Sequence, residues 1–143
     1  MIEFDKHIYY KEGDWKYQLT AEYRIDLSAF IKPLMPISEP FIQLSAQGIL
    51  CILNGYCWDG PSGPMIDTPT AMRGSLVHDA LYQLMRMGLL PGDCRKTADI
   101  IFFNICRDDG MSWIRARYAL RALRLAGGPA ASTKNRKINL IAP

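Results

Sequence analysis

From Trp15 to Leu27 the chain alternates without a break. Trp15, Tyr17, Leu19, Ala21, Tyr23, Ile25 and Leu27 are interleaved with Lys16, Gln18, Thr20, Glu22, Arg24 and Asp26. A period of two over that length predicts a half-buried strand with one wet face, and a helix cannot keep such a pattern on one side. Ile2, Phe4, Ile8 and Tyr10 predict a shorter strand before it, with a turn at Glu12–Gly13–Asp14. Pro33, Pro36 and Pro40 then interrupt regular structure, and Phe41–Ala46 and Ile49–Leu53 read as further strands. Asn54–Gly55 is a hairpin turn signal, with Tyr56–Trp58 as the return strand.

The period changes after a loop, Asp59-Gly60-Pro61-Ser62-Gly63-Pro64, whose two glycines and two prolines fit neither helix nor central strand. A first helix is expected from about Thr70 to Met87, started by Thr68 or Thr70 with Pro69 in the first turn and stopped near Gly88. Its apolar stripe is Leu76, Val77, Ala80, Leu81 and Leu84. A second runs from about Asp93 to Asp108, with Ala98, Ile101, Phe102 and Ile105 inward and Gly110 as its stop. A third begins near Ser112 and ends at Gly127–Gly128, with Trp113, Ala116, Leu120 and Leu123 inward. The expected fold class is therefore α+β. A small N-terminal antiparallel β-sheet is followed by three α-helices in one domain, 1–128, and by an extended basic tail, 129–143.

Charge is distributed unevenly. Residues 1–60 carry eight acids and five bases, residues 61–110 six acids and five bases, and residues 111–143 seven bases and no acid. A basic end of this kind marks either a site for an anionic partner or a solvated helix face. No helix-turn-helix, zinc-finger or RNP-like string points to specific nucleic-acid recognition. No apolar run approaches the ~20 residues of a transmembrane segment. The acidic start lacks the pattern of a signal peptide, so synthesis in a cytoplasm is expected. Cys51, Cys57, Cys94 and Cys106 form no CxxC pair, which argues against zinc. Without an export signal they read as reduced thiols, although Cys51 and Cys57 can bridge an oxidised hairpin.

One constellation carries chemistry. His78 and Asp79 sit mid-helix among apolar neighbours, and Tyr82 lies one turn beyond His78 on the same face. Asp99 lies in the second helix beside Phe102 and Cys106. The short Gly88–Gly92 connection makes the two helices antiparallel neighbours, so Asp99 can reach His78. A carboxylate on one imidazole nitrogen fixes the tautomer and leaves the other nitrogen to take a proton from water. Asp79, about 100° round the helix, points to a separate spot where a metal can sit, with carbonyls from the Trp58–Gly63 loop. Together these features point to metal-assisted hydrolysis of an ester. The same His–Asp–Tyr network can instead simply pin two helices together.

At these residues the chain resembles two families. GYCWDGPSGP over Gly55–Pro64, then HDALY over His78–Tyr82 and ADIIF over Ala98–Phe102, resemble a family of phage and prophage proteins of unassigned function. Its members carry a DGxSxP loop, an HDxLY helix and an AD-containing helix, and the resemblance spans roughly residues 15–126. The site is also similar to phospholipase A2, in particular the compact form found in parvovirus capsid proteins. That resemblance implies His78 as catalytic base, held by Asp99 and Tyr82. It implies calcium on Asp79 and on the carbonyls of Trp58, Gly60 and Gly63, with Asp59 as an extra acid nearby. The loop departs from the YxGxG pattern of that family, being one residue longer.

Two functions follow as expectations. The first is a calcium-dependent lipid or ester hydrolase, with Arg117, Arg121 and Arg124 meeting anionic headgroups of a host envelope. The second is a non-enzymatic protein that contacts phage structural proteins in a virion tail or adsorption apparatus, or a host-modulating binder. Either would be made in the host cytoplasm and could travel in the virion.

Overall fold

The computed structural model describes residues 4–13, 16–60 and 68–131, with backbone only for 126–131. Outside them lie Ile2, Asp14 and Trp15, the loop from Pro61 through Gly63 to Asp67, and the tail from residue 132. The fold is α+β: antiparallel strands come first and three helices follow. The described residues divide into two units, one ending at Asp59 and one beginning at Gly60.

The first unit holds two small sheets. β1 (Tyr10–Gly13), β2 (Lys16–Leu19) and β7 (Cys57–Trp58) form one, in the order β1-β2-β7. β3 (Tyr23–Asp26), β6 (Ile49–Ile52), β5 (Ile42–Leu44) and β4 (Ile37–Ser38) form the other, in the order β3-β6-β5-β4. The single long strand expected over Trp15–Leu27 is therefore two strands in two sheets, separated by a bend at Thr20–Ala21. The alternation survives the bend: Tyr17, Leu19, Tyr23 and Leu27 are all buried. A period of two says which side of a strand is wet, but it does not say which strand lies beside it.

Two other expectations change for the same reason. β1 starts at Tyr10, which leaves Phe4 and Ile8 before it, because β2 offers only four residues, in the register Tyr10↔Leu19 to Gly13↔Lys16. The Asn54–Gly55 turn forms, yet Cys57–Trp58 does not return along β6. Leu19 accepts from the Gly55 N–H and donates to the Tyr56 carbonyl, both at 2.9 Å, and this steers the chain onto β2. There Tyr17 and Trp58 lie opposite each other, with ring centroids 5.6 Å apart, and Tyr10 meets both edge-on.

The second unit is built on α1 (Pro69–Arg86), which buries fourteen of its eighteen residues. Every member of its expected stripe has no exposed surface. α2 (Arg95–Asp108) follows a single 3₁₀ turn at Gly92–Cys94, and buries Ala98, Asp99, Ile101, Phe102, Ile105 and Cys106. Asp99 thus lies within an otherwise apolar stripe. α3 (Trp113–Ala131) is capped by Ser112, whose hydroxyl accepts from the Arg115 N–H at 3.2 Å.

α3 runs through Gly127–Gly128 to Ala131, past its expected end. Glycine lowers helix propensity by about 1 kcal/mol, but stopping a helix takes a left-handed residue or a competing cap. The inward face of α3 is also shifted from expectation. Ala116 and Ala119 join Ala71, Phe102, Cys106 and Met111 in the core, with Leu123 packed against it, whereas Trp113 is exposed.

Burial of α1 on all sides obliges its polar residues to find partners. Arg73 is the extreme case. Its Nε donates to Asp109 Oδ2 at 3.0 Å, and its Nη2 donates to Asp109 Oδ1 at 2.8 Å and Asp108 Oδ2 at 3.2 Å. The bidentate fork ties the start of α1 to the end of α2. Asp109 keeps some contact with water, so its carboxylate can be rehydrated when the arginine is removed. Arg73→Met is therefore expected to cost about 1–3 kcal/mol in urea unfolding. A loss below about half a kcal/mol would show the fork to be ornamental.

Candidate active site

The site lies one turn from a tight contact between α1 and α2. A Cβ on Gly74 would lie 2.8 Å from Cys106 Sγ and 3.1 Å from a Phe102 ring carbon. Only a residue with no side chain lets the two backbones come this near. One turn on from Gly74, His78 meets Asp99.

His78 Nε2 is 2.8 Å from Asp99 Oδ1, and the Tyr82 hydroxyl donates to the same oxygen at 2.7 Å. As a carboxylate Asp99 only accepts, which assigns the imidazole proton to Nε2 and leaves Nδ1 as the free nitrogen. Among the described residues, Nδ1 makes no hydrogen bond. The His78 and Tyr82 rings lie 4.0 Å apart, and Phe102 stands edge-on to the imidazole at 5.6 Å. Burial, reinforced by the hydrogen bond to Asp99 and its charge, holds the Tyr82 phenol far above its ordinary range, so it serves as a donor.

The second carboxylate oxygen faces a residue from α3. Arg124 Nε lies 3.4 Å from Asp99 Oδ2, at ion-pair distance but without hydrogen-bond geometry, and neither atom has another partner among the described residues. Arg124 is further held by backbone: its Nη2 donates to the Lys96 carbonyl, while its own carbonyl accepts from Arg95 Nη1. By their i, i+4, i+7 spacing Arg117, Arg121 and Arg124 are expected to share one face of the helix. Arg117 and Arg121 are exposed, with Arg117 over the Trp113 ring, but Arg124 turns inward.

Compared with protein-family models, curated proteins and solved structures, the chain matches none.

The residues expected to bind calcium fall in both units, and one of them lies outside the described residues. Asp79 is half-buried on α1 of the second unit. Trp58 is buried in the ladder against Tyr17, and Asp59 is exposed at the end of the first unit. Gly60, with φ of 79°, opens the second unit, and Gly63 lies outside the described residues. Among the described residues no group of three or more His, Cys, Asp or Glu side chains converges as a metal site. Calcium takes ~6–8 oxygens; Asp79 offers a hard carboxylate toward that number, and the carbonyl of Gly63, expected to add another, lies outside the described residues.

Two partners escaped the sequence reading. The spacing of Arg124 gives its helix face but not the reach of its side chain to Asp99. Arg73 stands at i, i+4, i+7, i+11 with Val77, Ala80 and Leu84, which marks it as a buried arginine, and the paired acids Asp108–Asp109 were the available counterpart. The four cysteines carry free thiols, and burial pushes Cys106 up to about 12 and Cys51 up to about 11, so neither is a nucleophile near neutral pH.

Proposed function

We propose that this is a phage-encoded protein whose second unit hydrolyses an ester, of phospholipid type, by general-base catalysis at His78. The observation that carries the reading is the buried 2.8 Å contact of His78 Nε2 with an Asp99 oxygen that also accepts from Tyr82. In this reaction Nδ1 takes a proton from water as the water oxygen attacks the carbonyl carbon. Asp99 steadies the imidazolium, and the same proton passes to the departing alkoxide when the ester C–O bond breaks. Calcium, where Asp79 and the loop carbonyls hold it, would polarise the carbonyl; that ion belongs to the phospholipase A2 resemblance and is part of the proposal.

The test is fatty-acid release from phospholipid vesicles, with calcium titrated by calorimetry, on the wild type and His78→Ala. A loss of about 10²–10⁴-fold in the variant is expected. Equal, null activity in both proteins would sink the hydrolase reading.

A second reading is favoured by the reach of the same network, since Asp99 touches side chains from both α1 and α3. In it the site is structural and the protein is a non-enzymatic virion component, or a host-modulating binder. Mass spectrometry of purified virions, showing a fixed copy number alongside null hydrolysis, supports that reading.

A further inference from the structure

The outward face of α3 does not look like a solvent face. Ile114 is 77% exposed, Tyr118 57%, Leu125 88% and Trp113 56%. Arg117 and Arg121 complete the arc. At about 100° per residue Ile114, Tyr118, Arg121 and Leu125 fall on one stripe, with Trp113 and Arg117 along its flank. The arc extends over about 18 Å of helix. Arg117 lies with its guanidinium 5.7 Å from the Trp113 ring centre. From residue 111 to 131 the chain has four arginines and no acid.

We propose that this face docks α3 on an anionic lipid bilayer, lying in the plane of the headgroups. Large apolar side chains project from a ridge, where Ile114 and Leu125 can enter the acyl boundary. Trp113 and Tyr118 have the amphipathic rings that settle at a headgroup layer, and Arg117 and Arg121 stand beside them to meet phosphates. A second copy of the chain would set arginines against arginines, whereas an anionic surface is complementary to them. Among the described residues no helix is long and apolar enough to cross a membrane, and docking in the plane requires none. The proposal extends the headgroup contact expected of Arg117 and Arg121 to a whole helix face, and it stands without hydrolysis, because none of these residues belongs to the His78–Asp99 site.

The experiment is co-sedimentation of the full chain with vesicles of ether-linked phosphatidylcholine, alone or mixed with ether-linked phosphatidylglycerol, in the presence of a chelator. Ether lipids and chelation keep hydrolysis out of the measurement. The wild type is expected to bind the anionic vesicles at least about tenfold more tightly than the neutral ones, and less tightly as salt rises. The double variant Arg117→Gln/Arg121→Gln loses about 30-fold. Ile114→Ser/Leu125→Ser loses at least about tenfold. His78→Ala binds like the wild type. Trp113 gives a readout on the unaltered face: its emission shifts to the blue on anionic vesicles, and Trp113→Phe removes that shift.

Absence of binding, equal binding to both vesicle types, or a double arginine variant as tight as the wild type would overturn the proposal. So would self-association in sedimentation velocity that Ile114→Ser abolishes, which would give the face to a second copy. Binding to a polyglutamate matrix but not to vesicles would likewise overturn it, in favour of an acidic polypeptide.

Discussion

Asp99→Ala lowers stability by about 3–5 kcal/mol in urea unfolding, among the largest expected effects of any single side-chain truncation in the second unit. The reason is what remains behind. The His78 ring nitrogen and the Tyr82 hydroxyl are both buried and would lose their shared acceptor, and Arg124 would lose the carboxylate facing its Nε. Each buried orphan costs about 1–3 kcal/mol, more where charge is involved. Asp99→Asn keeps a carbonyl oxygen that can accept from both donors, loses only the charge facing Arg124, and is expected to lose less than half as much. A loss under 1 kcal/mol for Asp99→Ala would mean that water already reaches the network, and the tightly held dyad would have to be abandoned. Arg73 grips the opposite end of α2, some ten residues away, so the Arg73→Met and Asp99→Ala costs should add within about half a kcal/mol.

Gly48→Ala is the corresponding lesion in the first unit, at about 2–5 kcal/mol. Gly48 has φ of 95°, where an L side chain already costs about 1–2 kcal/mol. Its added Cβ would also lie 2.4 Å from the Ile31 carbonyl oxygen and 2.7 Å from Ser28 Cα. These are backbone atoms and cannot swing aside as a side chain can, so overpacking adds about 1–3 kcal/mol. The Gly48 carbonyl also accepts from the Leu27 N–H at 2.8 Å, and a shift there loosens the end of β3. Thermal unfolding of the variant checks this, and a melting temperature within a degree or two of the wild type would contradict it.

The helical half was the more legible. The stripe Leu76, Val77, Ala80, Leu81, Leu84 and the short connection after it were enough to bring Asp99 to His78, because helix spacing fixes both the face and the height of a side chain. Arg124 was not legible, although its backbone position was. A long side chain can fold back from the edge of a wet face toward a buried charge, and i, i+4, i+7 spacing says nothing about its reach. Trp113 was misplaced for a related reason. Ala116 and Ala119 let α3 approach closely along a narrow seam, which left no room there for an indole. In the strands, each residue's side of the sheet could be read but not its partner, since pairing is settled by turns and bends remote from the strand itself. The loop at Asp59–Pro64 marked by composition the change from strands to helices, while the grouping of Trp58, Gly60 and Gly63 with Asp79 rested on calcium's demand for oxygen donors and on resemblance rather than on a fixed spacing.

The placement of β7 beside β2 sets an order of events during synthesis. β1 and β2 are neighbours along the chain and can pair as soon as both leave the ribosome. Their third strand is not made until about forty residues later, from Tyr17 to Trp58, and its pairing must close that whole loop. The three helices need only contacts across short connections, which form quickly. The aromatic group of Tyr10, Tyr17 and Trp58 is therefore a late lock. Until it closes, the first hairpin presents an open edge and two unburied tyrosines, and in that interval the nascent chain is most exposed to pairing with the wrong strand.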